Sequence, residues 1–521
     1  MSLDLRILGG SVIDGTGTPA RRADVGVRDG RIQTVGDLRA ATARETIDAT
    51  GHVVAPGFID SHTHGDVAWS LADEHLDVKT AELRQGVTTE VTGNCGFSPF
   101  PADGPHADQV TALMGSLLGS AASAWSDLRS FRGSATGMYA NIAPLVGHGS
   151  IRAAVLGFAD RAPDAAELRA MVGLAERALA DGAVGISSGL VYAPGLYART
   201  EELIAIARAL RGTGRPYVTH MRGETDMVAD SVHEAIRIGR EAGVPVHISH
   251  HKTSGKENWG RTAETLAIID GARAEGLDVT IDVYPYTAGS TLLHSILPPW
   301  ALADGIDAMV ARLGDRVARD RITRDFRDGL PGWQNQQRAA GWEGIVIASC
   351  GGRPELEGRR AVELGPDPAE AVFDLIAGQR GRVTMIAHTM REDDVERVIA
   401  HPASMIGSDA IPLPGKPHPR LAGTFVRILG HYVRERGILD LPTAVRKMTA
   451  LPAARFGLAD RGPLERGKIA DLVVFDPTTV LDRATYDDPL REPVGIRTVL
   501  IGGRVAIRDG ALETMRAGTV L

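Results

Sequence analysis

Six residues carry side chains that a divalent transition metal takes as ligands or that can accept and return a proton, and each closes an apolar run: His62, His64, Cys95, His220, His250 and Asp409. The run Val53–Ile59 leads into Asp60-Ser61-His62-Thr63-His64. On a strand, positions i and i+2 face the same side, so two imidazoles stand next to each other there. Imidazoles sharing one space suit a transition metal, and a thiolate beside them points to zinc. Cys95 lies in Gly93-Asn94-Cys95-Gly96, just past Thr88–Val91, and His220 ends the run Pro216–His220. His250 ends Pro245–His250, and Asp409 follows Ser404–Ser408. Singly, each could be a packed or hydrogen-bonded residue. Together, at the C-terminal ends of strands, they match the way a (β/α) barrel builds an active site.

The elements that must hold these residues alternate. Asp164–Ala180 has helical apolar spacing with an aspartate at its start, and the strand Ala183–Ser188 follows it. The rhythm continues with helix Glu201–Arg211, strand Pro216–His220, helix Ser231–Ala242, strand Pro245–His250, helix Arg261–Glu275 and strand Val279–Val283. Alternation of this kind predicts an α/β fold, a parallel sheet with helices outside it, closed as a (β/α)8 TIM-like barrel. Strand parity puts Val218 and His220 on one face; it groups His250 with Val246 and Ile248, pointing inward, and sends His247 to the helix layer. Asp409 shares a face with Gly407.

Residues 1–55 and 465–521 read as short strands and turns, with Asp29-Gly30 as a hairpin signal. Neither end can bury a sheet alone, so we expect the two to pair into one small β-sandwich. Residues 291–380 break the rhythm. They read as an irregular, charge-rich insertion over the barrel mouth, with one clear strand at Ile345–Ser349. This leaves 56–290 and 381–464 for the barrel. Strand candidates exceed eight, and Val279–Val283 competes with Val383–His388 for the last place in the wall.

Bulk properties narrow the function classes. Over 521 residues, 43% hydrophobic and 23% charged content is that of an ordinary globular enzyme. A formal net charge of −8 argues against a nucleic-acid partner. No apolar run has the roughly 18 residues a membrane span needs, and the N-terminus has no signal-peptide pattern. The cysteines, Cys95 and Cys350, make no disulfide framework, which fits a cytoplasmic protein. Cys350 falls in the insertion and reads as core packing.

The sequence resembles the amidohydrolase superfamily and, within it, the N-acyl-D-amino-acid deacylases (D-aminoacylases). The resemblance covers nearly the whole chain. It rests on Pro56–His64, on Gly93-Asn94-Cys95-Gly96, on Gly185–Tyr192, on Thr219–Glu224, on Ile248–Lys252, on Asp282–Thr291 and on Gly407-Ser408-Asp409. It implies that Cys95, His220 and His250 hold a tightly bound Zn2+, with His62 and His64 completing or approaching a second, weaker position. Many members of the superfamily bridge two metals with a carboxylated lysine. No lysine ends Ala183–Ser188 here, which suits the cysteine variant.

The implied reaction is hydrolysis of linear N-acyl-D-amino acids to a carboxylate and a free D-amino acid. Metal-activated hydroxide attacks the amide carbonyl, and Asp409 serves as general base and then general acid. A place beside a ligand histidine is the other reading of Asp409. For the substrate carboxylate the resemblance points to Lys252, Tyr284 and Ser290, with Tyr192 nearby, and Arg391 is a candidate partner for an acidic side chain. Two alternatives remain: a cyclic-amide hydrolase of the hydantoinase or dihydroorotase type, and a non-catalytic scaffold on the same fold.

Overall fold

The computed structural model describes residues 2–118, 123–513 and 516–521. Parallel strands form the wall of the barrel: β1 Phe58–Asp60, β2 Val87–Thr92, β3 Asn141–Pro144, β4 Ile186–Gly189, β5 Tyr217–His220, β6 Val246–Ile248, β7 Val279–Val283 and β8 Ser404–Ile406. β1, β2 and β3 pair in that order; β4 to β8 form a second run in register, for example Val218 with His247 and Ile281 with Ser404. The two runs meet at both edges. β3 continues through Leu145 into Val146–Gly147, which pairs with β4, and the Val184 N–H donates to the Pro144 carbonyl at 2.8 Å. On the other side the Ser61 N–H reaches the Ile406 carbonyl at 3.4 Å, and Thr63 bridges Ala410 in parallel. Val279–Val283 therefore holds the contested place in the wall.

Side-chain alternation explains the two layers of core. Ile59, Val91, Ala143, Val184 and Val218 form one cluster with Phe456 and Leu458 and fill the barrel interior. Val246, Ile248, Val279 and Ile281 instead pack on Val232, Ala235, Leu266 and Ile269 of the surrounding helices. Each such side chain removed from water contributes about 1.5–3 kcal/mol. The helices start where the sequence signals them. Asp164 caps Ala165–Ala180, accepting from the Ala166 and Glu167 N–H groups, and Glu167 completes the capping box. Gly243, at φ +71°, ends Val228–Ala242 in a left-handed turn.

Both chain ends build one sheet, in the order Ala511–Leu512, Arg504–Arg508, Ile496–Ile501, Leu472–Phe475, Val53–Pro56, Ser11–Val12, Arg21–Arg22. A second sheet of N-terminal strands, Leu3–Leu8 among them, packs on it through Leu5, Ile7, Val54, Leu472 and Leu500. Val53–Pro56 runs antiparallel to Leu472–Phe475, and one residue later the chain enters β1. That single residue is Gly57, where a Cβ would stand 2.3 Å from Thr88 Oγ1. The sandwich is thus welded to the strand that delivers His62 and His64.

The insertion is more ordered than its composition suggests. Ala288–Leu292, Thr384–His388 and Ile345–Ser349 form an antiparallel sheet, so the mouth unit extends past 291–380 at both ends. Helices Ile306–Gly314, Arg316–Asp328 and Pro368–Gly378 pack beside it over a separate core of Leu313, Ile322, Phe326, Ile347, Phe373 and Met385. Arg316–Asp328 buries only Ile322 and Phe326, one turn apart, and its remaining residues are mostly charged. So thin an apolar stripe reads as irregular in sequence yet suffices for a helix that covers one edge of a core.

Candidate active site

The six strand-end residues converge at the C-terminal rim. Cys95 Sγ lies 3.4 Å from His62 Nε2, 3.7 Å from His220 Nδ1 and 3.5 Å from His250 Nε2. Asp409 Oδ1 lies 3.3 Å from the Nε2 atoms of both His62 and His64. Two overlapping ligand sets result: Cys95 with His220 and His250, and Cys95 with His62, His64 and Asp409. All six side chains are buried.

The donor set fits zinc. Tetrahedral bonds of about 2.3 Å to sulfur and about 2.05 Å to nitrogen place those atoms roughly 3.6 Å apart, close to the spacings around Cys95. Burial alone would raise the Cys95 thiol, but His62, His220 and His250 hold it well below its ordinary value, so the ligand is a thiolate. Burial would lower His64, yet Asp409 and Cys95 lift it to about 9. A metal must displace that proton to bind.

Local backbone geometry aims the ligands. Cys95, His250 and Asp409 adopt φ of +54°, +33° and +52°, the left-handed region that non-glycine residues avoid at a cost of about 1–3 kcal/mol each. The turn at His250 overturns the parity argument. β6 ends at Ile248, and its inward residue is His247, whose Nε2–H donates to the Asp282 carboxylate at 2.7 Å and whose ring meets Phe456 edge-on in the interior core. His250 reaches the site because the chain twists past the strand end, not because of its place in the alternation. Gly189 makes room for Cys95: a Cβ there would lie 2.1 Å from the Cys95 carbonyl oxygen. Gly407 does the same for His62, whose Cβ would be 2.7 Å away.

Carboxylates orient the imidazoles and lace the loops. Asp282 Oδ2 lies 3.4 Å from His62 Nδ1, and its Oδ1 accepts the His250 N–H at 2.8 Å. Glu224 Oε1 lies 3.1 Å from His250 Nδ1; a proton shared there leaves Nε2 free toward the thiolate. Asp60 accepts the His62 and Ser408 N–H groups at 3.0 and 2.9 Å, and Asp66 accepts the Gly93 N–H at 2.7 Å. Burial lifts Asp60 and Asp66 to about 6. Glu224 and Asp282 fall inside motifs singled out above, but nothing in their spacing marks them as partners of a histidine.

A cavity opens beside the ligands. Lys252, Tyr192, Tyr284 and Ser290 all line it. Lys252 is no solvated loop lysine: its buried Nζ donates to Glu224 at 2.6 Å and lies 2.7 Å from His250 Nδ1. The Tyr192 hydroxyl bonds Thr291 Oγ1 at 2.7 Å, and its ring packs edge-on to His220. Arg391 is elsewhere. It precedes helix Glu392–Ala400, is about half exposed and pairs with Asp393, outside the cavity wall.

Nothing in the sequence marks Arg420, which opens a helix eleven residues beyond Asp409, in no recognisable motif. It is fully buried, with Nη1 2.8 Å from Asp409 Oδ2, Nη2 donating to the Ser290 carbonyl at 3.0 Å, and its guanidinium 4.7 Å from the Tyr284 ring centre. Burial would raise the Asp409 carboxyl, but Arg420 and the His250 and His62 imidazoles hold it well below the usual range.

Comparison with known proteins gives this geometry a family. Residues 45–507 match the model of the Amidohydrolase family. The chain belongs to the amidohydrolase family. Among curated relatives, a D-aminoacylase of Alcaligenes xylosoxydans xylosoxydans is 42% identical over 99% of this chain and 97% of its own. An N-acyl-D-glutamate deacylase of the same organism is 41% identical over 100% and 96%. This amidohydrolase also superposes on the crystal structure of N-acyl-D-glutamate deacylase from Bordetella bronchiseptica, complexed with zinc and a phosphonate mimic of the tetrahedral intermediate. The TM-score is 0.85 at 40% identity, covering all of both chains.

Proposed function

We propose that this amidohydrolase cleaves the amide bond of linear N-acyl-D-amino acids, releasing a carboxylate and a free D-amino acid, with zinc held by Cys95, His220 and His250. The observation that carries the proposal is the cluster of a thiolate and three imidazole nitrogens within 3.7 Å of it, at the edge of a cavity whose wall includes Lys252. His62, His64 and Asp409 supply a second, weaker position that shares Cys95.

Bound zinc supplies Lewis acidity, lowering the pKa of water and polarising the amide carbonyl. The chain's own residues do the rest. Asp409 Oδ1 accepts the proton of the attacking water and returns it to the amide nitrogen, so the amine leaves neutral. Arg420 holds the other carboxylate oxygen and keeps Asp409 ionised for the first transfer. Lys252, the Tyr284 hydroxyl and Ser290 meet the α-carboxylate of the substrate. Glu224 balances the Lys252 charge until that carboxylate arrives.

Cations beside the ligand cluster favour a substrate that already carries a carboxylate, which a hydantoin ring lacks. Full-length similarity to deacylases supports the same choice, and the complete set of donors argues against a scaffold. The unpaired Cys95 and Cys350 fit a reducing cytoplasm. Among the described residues no helix is long and apolar enough to cross a membrane. Racemic N-acetylmethionine and a hydantoin, each incubated with the zinc-loaded protein, test the reading. Release of D-methionine alone is expected. Opening of the hydantoin ring with no cleavage of N-acetylmethionine, or release of the L enantiomer, would overturn it.

A further inference from the structure

Arg391 was the only residue that hinted at an acidic substrate side chain, and it lies outside the cavity. What remains decides the matter differently. The mouth unit contributes Gln334, Gln336, Ala339, Met385, Ala387 and Thr389 to the cavity wall, all of them uncharged. Gln334 Oε1 accepts the Glu224 N–H at 2.5 Å, and Gln336 Oε1 accepts the Ser295 hydroxyl at 3.0 Å. Both amide oxygens are thus engaged, and what each glutamine has left to offer a ligand is a neutral NH2 group.

Nearby cations are already committed. Lys252 is bonded to Glu224 and is the residue that meets the α-carboxylate, and Arg420 is paired with Asp409 and does not line the cavity. Arg222 borders the adjoining cavity, but Glu234 and the Leu196 and Ala198 carbonyls take its donors. Arg338, between two wall residues, is exposed and does not line the cavity.

We infer that the wall built from 334–339 and 385–389 receives the D-amino-acid side chain and selects uncharged ones, so that N-acyl derivatives of D-glutamate and D-aspartate are poor substrates. The inference rests on the deacylase reading above. A second carboxylate entering this space would be stripped of water beside Glu224 and Asp409, with no free counter-charge among the described lining residues. Neutral amide donors return only part of that loss. Overall similarity cannot make this choice, because the D-aminoacylase and the D-glutamate deacylase resemble the chain almost equally.

Glutamine and glutamate differ in charge at nearly constant shape, so they isolate the effect. The test measures kcat/KM for the N-acetyl derivatives of D-methionine, D-glutamine, D-glutamate and D-aspartate. D-Methionine and D-glutamine are expected to exceed D-glutamate by at least about thirtyfold. The variant Ala339→Lys places a cation on the wall and should raise the D-glutamate value about tenfold while leaving D-glutamine no better. Binding of the two N-acetyl isosteres to the Asp409→Ala protein, by calorimetry, should follow the same order without any turnover. D-glutamate equal to or better than D-glutamine in the unaltered protein would overturn the inference, as would a lysine at 339 that raises both alike. If none of the four is cleaved, the deacylase reading itself falls and takes this inference with it.

Discussion

Two halves of one ligand cluster are built on opposite plans. Around Cys95, His220 and His250, a soft thiolate meets two imidazoles; Gly189 is packed against the Cys95 carbonyl, and Glu224 lies against His250 Nδ1. Around His62, His64 and Asp409, the donors are hard or borderline. The one thiolate in reach is borrowed from the other half, and Asp409 is shared with Arg420. On the proposed reading, the first half keeps a metal. On the same reading the second handles protons near one, and a metal there would compete with Arg420 for Asp409 and displace a proton from His64.

Removing the shared thiolate should hurt most. Cys95→Ala is expected to lose the bound zinc and at least about a thousandfold in kcat/KM, whereas His64→Ala should keep one equivalent of zinc and fall by no more than about tenfold. Metal analysis beside steady-state kinetics separates the two, and equal losses would erase the asymmetry. Asp409→Ala comes next. Turnover should drop about a hundredfold to ten-thousandfold with zinc content near normal, and surviving activity would remove the proton-transfer role.

Glu224→Gln probes the orientation of His250 from behind. Competition with a chelator should show zinc held about 10–100-fold more weakly, whereas unchanged affinity would make Glu224 a partner of Lys252 alone.

The smallest effect lies under the second half. Burial, reinforced by Asp60 and Asp66, pushes the Glu90 carboxyl from its ordinary 4.5 up to about 8. A raised carboxyl contributes stability that is complete below about pH 4.5 and is lost as the pH climbs through 8. In the metal-free protein, Glu90→Gln should flatten that decline by about 1–2 °C in Tm, and an unaltered slope would show that Glu90 ionises freely.

The same contrast shows what a sequence discloses. Donor types at strand ends are legible because five strands of a barrel deliver all six to one rim, His62 and His64 from the same strand, and their side chains do meet. Direction was less legible. His250 turns inward by a left-handed φ that alternation cannot express, and the rule therefore misplaced His247. Residues that act through contact with a ligand, such as Glu224, Asp282 and Arg420, leave no spacing signal, since their partners lie on other strands. The mouth helices hid for a thermodynamic reason: a helix with only Ile322 and Phe326 to bury looks like a solvated loop until its neighbours are in place.

The most direct test joins metal, thiolate and chemistry in one titration. Metal-free protein is loaded with cobalt(II) while the near-ultraviolet thiolate-to-metal band and the hydrolysis of N-acetyl-D-methionine are followed together. Both signals are expected to rise in step and saturate at the same equivalence. Activity that grows without the thiolate band would contradict the account, because the working metal would then lie away from Cys95.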